Sequence, residues 1–463
     1  MKNFYLSVFF GLIFSWAFAQ TDVSGYQSGN WARTGSPYRV VGDITVPAGQ
    51  ILNIEAGVQV MFQGHFRIYV DGKISAQGTE RDSIIFTAAD TATGWGGIRL
   101  DATPDVSEFY YCRFSYGKTS ADGSYPDQHG GAVVLRNADA HFYHCLFDRN
   151  DATGDNDGMG GAVYAINTGN GDDAHTVFED CTFRNNHAFG EGGAVKFTND
   201  NGTHLIRCHF TGNTAGYGGG ALFFYTGENV LISQCSFYEN RALNSGGGAV
   251  KTLNPQSSLR FVNCTFTANR AEAYAEGGAV NLAYADAEFV NCIIYGNSQQ
   301  FGKDVNIGQN ASASFMYCDV DLPDGTVGDH NLDNVDPQFV DPLRGDLRLT
   351  ASSPCIDAGT DVGLPYAGQA PDLGCYEYGL TAVNDLQHDR LMIYPIPAND
   401  YVEIRISENV PVEVRVLKID GSVLYRRKCN APCRINVRDY PAGIYLFHIV
   451  KEEKILSAFW IKK

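Results

Sequence analysis

A chain of 463 residues with 51 glycines and only 19% charged residues is too long for one ordinary globular domain, and its composition favours a repetitive all-β body over two compact cores. Its formal charge of −18 is divided unevenly, with residues 20–390 near −23 and residues 391–463 near +4. Phosphate contacts are made chiefly by Lys and Arg, so a body this acidic excludes nucleic acid and anionic membrane as expected partners; cations, neutral glycans and basic proteins remain.

Residues 1–19 read as a secretory signal peptide. Lys2 gives a positive start, Phe4 to Trp16 form an apolar stretch, and Ala17-Phe18-Ala19 is an A-x-A cleavage site before Gln20. The apolar run is too short to span a membrane, and no later stretch approaches the roughly 18 to 20 apolar residues that a span requires. No cysteine follows the cleavage site, so a lipoprotein anchor is not expected.

From residue 44, "ITVPAGQILNIEAGVQVMFQG", "IYVDGKISAQGT" and "GWGGIRL" give short strands between Gly and Pro-Ala-Gly turns, expected as narrow first coils. A longer repeat follows. C-x-F-x-x-N occurs at Cys145–Asn150, Cys181–Asn186, Cys208–Asn213, Cys235–Asn240 and Cys264–Asn269, with Ile for Phe at Cys292–Asn297 and frayed copies at Cys112 and Cys318. After each of the five Asn comes Gly-Gly-Ala-Val or Gly-Gly-Ala-Leu, as in Gly192-Gly193-Ala194-Val195. The cysteines recur every 26 to 36 residues, a range shared by helical solenoids, propeller blades and β-solenoid coils. Period-two alternation of Val, Phe, Tyr and Thr between glycines favours short strands, and a blade needs about 40 residues, so a parallel β-helix fits best.

In such a coil, Cys and Phe two residues apart both point inward. The Asn is placed to turn the chain and to form an amide ladder from coil to coil. Stacked sulfurs about 4.8 Å apart with parallel Cα–Cβ bonds lie beyond the usual disulfide Cβ separation of about 3.5 to 4.5 Å. Cys112, Cys145, Cys181, Cys208, Cys235, Cys264, Cys292 and Cys318 are therefore expected as a buried ladder of reduced thiols. The GGA[VIL] and F-x-x-N motifs resemble the repeats of polymorphic outer-membrane proteins and, more broadly, right-handed parallel β-helix proteins of the pectate-lyase-like kind, over roughly residues 40–320. That resemblance implies the fold. It leaves function open, because such scaffolds include polysaccharide lyases and hydrolases, adhesins and passenger domains without chemistry.

Residues 336–378 break the period and are expected to cap the open end of the solenoid. Cys355 and Cys375 stand outside the C-x-F register there, and in an oxidising compartment a disulfide between them is expected. Residues 379–390 read as a linker. Residues 391–463 turn basic and strand-rich, a small β-sandwich by pattern. Tyr394-Pro395-Ile396-Pro397-Ala398, Pro441-Ala442-Gly443-Ile444-Tyr445 and the Lys462-Lys463 ending resemble the C-terminal sorting domain of type IX secretion cargo, with Ile where the family usually has Asn. The resemblance implies delivery through the type IX secretion machinery of a Gram-negative bacterium, with the protein released or held at the outer-membrane surface. Cys429 and Cys433 in "CNAPC" are expected to form a small loop disulfide.

Phosphate loops, zinc-type Cys/His spacing and nucleophile elbows are absent from the sequence, and C-x-F-x-x-N does not supply metal-ligand spacing. Chemistry is therefore sought in the outward columns. Around the cysteines, Asp180, Arg207 and His209 are expected as neighbours about 5 to 10 Å apart, an acid, a cation and a base in reach of a uronate or glycosidic bond. After GGA, exposed Tyr164, Phe223 and Tyr225 beside Lys196 and Lys251 suggest a long face for sugar rings or protein, unless the long loops cover it. Asp122, Asp127, Asp151, Asp155, Asp157, Asp172 and Asp173 lie on the long loops, and clustered carboxylates there would suit calcium, which takes six to eight oxygens; no D-x-D-x-D-G run is present. The preferred expectation is an adhesin-like or glycan-binding β-helix, and the competing one a polysaccharide lyase or glycoside hydrolase on a uronate-containing substrate.

Overall fold

The computed structural model describes residues 20–379, apart from 121–126, 154–156, 168–175, 200–201, 255–256, 274–275 and 325, together with 392–394, 401–405, 411–418, 422–430, 433–441, 443–451 and 454–462. The expected signal peptide and residues 380–390 of the expected linker lie outside these. The described body is a right-handed parallel β-helix. One coil shows the pattern: Val163–Ile166, then Val177–Glu179, a corner at Asp180, then Thr182–Arg184. The next coil repeats it in parallel register, pairing Val163 with Val195, Val177 with His204 and Phe183 with Phe210. Twelve middle strands form a sheet of their own. In one early coil the two outer strands run together as Tyr38–Val46, which pairs through Tyr38 with Val60 and through Ile44 with Ile68 of the two separate strands Gln59–Phe62 and Ile68–Val70 in the next coil.

The inward positions are filled by identical residues stacked on one another. Phe147, Phe183, Phe210, Phe237 and Phe266 form one column with ring centroids 4.5 to 4.9 Å apart. Phe142 and Phe178, from the middle strands, meet that column edge-on. Full burial of each ring contributes about 1.5 to 3 kcal/mol. The eight C-x-F cysteines are free and buried. Each thiol donates weakly to the carbonyl of a middle-strand residue one coil back, as Cys181 does to Phe142 O (3.3 Å), and burial pushes thiols such as Cys181 and Cys264 well up.

The repeat Asn has a different task from the expected turn. The left-handed residue is the one before it, Arg149, Asn185, Gly212, Glu239, Ala268 or Gly296. The Asn itself is buried and forms the ladder. Asn150 donates to Asn186 Oδ1, Asn186 to Asn213, Asn213 to Asn240, Asn240 to Asn269 and Asn269 to Asn297, at 2.8 to 3.0 Å. Each second amide N–H meets a Phe carbonyl of the preceding coil, as Asn213 meets Phe183 O (2.9 Å). Asn297 ends the run by donating to Asp304 Oδ2 (3.0 Å).

Residues 336–378 fold back along the flank of the last coils. Their contacts are to Asn263, Thr265 and Asn291, whose partners are Asp372 O (3.2 Å), Cys375 N (3.0 Å) and Thr360 O (2.8 Å). Leu349, Cys355 and Leu373 bury Ile293 beneath them. The expected Cys355–Cys375 disulfide is not formed, and both thiols are free. Leu373, not Cys375, stands opposite Cys355, donating its N–H to the Cys355 carbonyl (2.9 Å). The chain then turns so that Cys375 meets Thr265 instead.

Among the described residues the tail holds a three-stranded and a four-stranded antiparallel sheet. Val402, Ile404, Val414, Ile435 and Phe447 fill its core, and Cys429 is bonded to Cys433. No helix among the described residues is long and apolar enough to cross a membrane.

Candidate recognition site on the left-handed corner

The residue before each repeat cysteine does not sit on a strand. Tyr111, His144, Asp180, Arg207, Gln234, Asn263 and Asn291 all have φ between 49 and 54°, the left-handed region that is uncommon outside glycine. This sharp corner links the middle strand to the C-x-F strand and throws its side chain outward on every coil. The result is a ladder of unlike residues. Tyr111 stacks on His144 (centroids 4.5 Å), and beside it Tyr110 stacks on Tyr143 (4.6 Å).

Farther along the ladder Arg207 forks onto Asp180, Nε to Oδ1 and Nη2 to Oδ2 at 2.8 Å each, and also pairs with Glu179. His144 Nε2 lies 3.8 Å from Asp180. Burial acts to raise Asp180, yet the Arg207 charge outweighs it and holds the carboxyl below the usual range. Burial raises Glu179, with Arg207 opposing, and the two carboxylates raise Arg207 against the effect of its burial. His209 is lowered by burial; its Nδ1 meets Ser236 Oγ at 2.8 Å and its ring lies under Tyr376 of the folded-back segment, 6.2 Å away.

The expected trio of Asp180, Arg207 and His209 is thus drawn to one place, but not as a free acid, cation and base. Arg207 binds two carboxylates, and His209 lies at the edge of the folded-back segment. The sequence reading passed over Glu179, Tyr110 and Tyr143. The adjacent Glu179-Asp180 pair was the available signal, but placing Asp180 on a strand sent the two side chains to opposite faces.

The expected exposed face after GGA is largely closed. Tyr164 is 4% exposed, Lys196 6% and Phe223 0%, leaving Tyr225 at 39%. The loop of each coil folds over the next strand, so that Lys196 Nζ contacts Met159 Sδ (2.7 Å) and Glu191 (2.8 Å) and sits 5.1 Å from the Phe223 ring centre. Lys251 is half-buried and donates to Ser245 Oγ (2.6 Å). These residues pack the loops down.

Of the loop carboxylates, Asp127 pairs with Arg67 and Arg99, Asp151 accepts from Thr153 and Asp157 accepts from Gln128. Asp122, Asp155, Asp172 and Asp173 lie outside the described residues. Among the described residues no group of three or more His, Cys, Asp or Glu is disposed to hold a metal ion.

Residues 96–314 match the family of right handed beta helix regions, and residues 392–463 match the secretion system C-terminal sorting domain. No curated protein matches the chain. The sorting domain supports secretion with attachment at the cell surface and implies interaction with the type IX machinery. The chain is a secreted or cell-surface right-handed parallel β-helix protein that carries a type IX secretion sorting domain at its C-terminal end.

Proposed function

We propose that the body is an adhesin-like module that binds glycans along the left-handed corner and does not cleave them. One observation carries the reading: the Tyr110–Tyr143 and Tyr111–His144 stacks lead directly to the Asp180–Arg207 fork, and the folded-back segment first meets the ladder beside that fork, at His209. Aromatic side chains with polar tips suit the mixed surface of a sugar ring, and a fixed fork of carboxylate and guanidinium can accept from and donate to its hydroxyls. Cleavage would need a general acid and a second free carboxylate or base facing one bond. Arg207 engages both carboxylates here. Delivery by the sorting domain would set this corner on the outer-membrane surface, or release it, where glycans are met.

Glu179, raised by burial, is the feature that suits a general acid and hence a lyase or hydrolase. Incubating the full chain with neutral and uronate-containing polysaccharides separates the two readings. Retention on an immobilised glycan without new reducing or unsaturated ends is expected; product formation that Arg207→Ala abolishes would overturn the binding reading.

A further inference from the structure

Arg67 and Arg99 lie together at the start of the long coils, outside the corner site. Arg99 is 5% exposed. Gly96 and Gly97 make room for the two side chains, since a Cβ on Gly96 would strike Arg67 Cγ and one on Gly97 would strike Arg99 Nη1. One carboxylate serves both guanidinium groups: Asp127 lies 3.3 Å from Arg99 Nε and 3.6 Å from Arg67 Nη1. Arg99 Nη1 donates to the Gly130 carbonyl (3.1 Å) and the Ile98 carbonyl (3.3 Å), and Arg67 Nη2 reaches Ser120 Oγ at 3.5 Å.

Two donors remain. Arg99 Nη2 and Arg67 Nε are both shut off from solvent and without a hydrogen-bond partner. The neighbouring imidazoles bring no compensating charge: His65 is lowered by burial, and His129 is pulled down to about 4, chiefly by burial and then by Lys196 and Arg99. Lys196 is already matched by Glu191. Asp43 meets the Arg67 backbone N–H, not its guanidinium. Burial lowers Arg99 to about 10, Asp127 opposing and Arg67 adding to the fall.

Among the described residues, two cations, one anion and two unpaired buried donors leave the cluster one negative charge short, a costly arrangement. A water molecule would satisfy a donor without supplying charge. An oxyanion supplies both, and a guanidinium fork matches its geometry. We propose that Arg67 Nε and Arg99 Nη2 hold a small oxyanion, entering on the side where Arg67 and Asp127 stay 15% and 23% exposed. Its role is to hold Ser120 and Asp127 against Arg67 and Arg99.

Thermal unfolding of the full chain in rising sodium acetate, sulfate or phosphate, at ionic strength matched with sodium chloride, tests this. General salting effects grow steadily with concentration, whereas a bound anion gives a saturable rise. A saturable rise in melting temperature in the low millimolar range is expected for at least one oxyanion. Arg99→Met should abolish it. Asp127→Asn, which removes the competing carboxylate, should move saturation to lower anion concentration. If Arg99→Met fails to fold, Asp127→Asn still decides the matter, as does an anomalous peak for selenate between the two arginines in a crystal. Absence of a saturable rise with every oxyanion, an unchanged midpoint in Asp127→Asn, or no selenate peak where sulfate gives the rise would overturn the site and leave a water-filled cluster.

Discussion

At the scale of single residues, the repeat motif divides into positions that packing dictates and positions that it leaves free. Cys and Phe two apart must both face inward, so their burial followed from strand periodicity alone. The corner residue before each Cys takes a left-handed backbone but is Tyr, His, Asp, Arg, Gln or Asn in different coils. Its side chain leaves the coil's interior, and only Asn263 and Asn291 are covered, by the folded-back segment, so no single residue type announced the turn. The Asn is the opposite case: its amide closes hydrogen bonds in three directions and no other side chain can do so. Asn213→Ala would strand the Asn186 amide, the Asn186 backbone N–H and the Phe183 carbonyl. A loss on the order of 2 to 4 kcal/mol in denaturant unfolding is expected, against less than about 1 kcal/mol for exposed Asn185→Gly, which keeps the left-handed backbone free of strain. The thiols give a second outcome at this scale. Titration of denatured, unreduced protein should find ten free thiols, the eight of the ladder with Cys355 and Cys375. Finding only eight would restore the disulfide that the sequence led us to expect.

Among elements, the folded-back segment 336–378 was the least legible. Its break in period was visible, but where it would lie depended on partners scattered over coils far away in sequence, such as Asn263 with Asp372. The same limit applied to the face after GGA. Alternation placed Tyr164, Lys196 and Phe223 outward, and only the loops passing over them made them buried. Under the folded-back segment, Asp319 is wholly buried; Oδ1 accepts from Val335 N (2.8 Å) and Oδ2 has no partner. Burial pushes it up to about 7, with Asp336 and Asp333 adding to the rise, and Cys355 is the other titratable group near it. A carboxyl with a raised folded value supports the fold below its unfolded value near 3.9, and that support is lost as pH climbs through about 7. Asp319→Asn should therefore stabilise the protein at pH 8 and change little at pH 4. Equal effects at both pH values would show that Asp319 does not titrate in this interval.

The whole molecule is a long acidic solenoid followed by a small basic export domain. Stacking lets coils differ on their outer corners while the interior stays constant, so the residues that hold the fold and those of the proposed recognition site are separated in space. That separation explains why the fold was legible from repeats while the candidate site was not: the repeating residues are the interior ones, and the proposed recognition site is built from those that do not repeat. It also makes the two outer faces independently testable. Affinity for a retained glycan should fall about tenfold or more when Tyr143 on the corner is changed to alanine, a loss of more than about 1.4 kcal/mol. Tyr225→Ala, on the face after GGA, should leave it unchanged. The direct measurement is a titration of that glycan into the parent protein and both variants. Loss in Tyr143→Ala alone is the predicted result, and loss in Tyr225→Ala with Tyr143→Ala unaffected would contradict a recognition site on the left-handed corner.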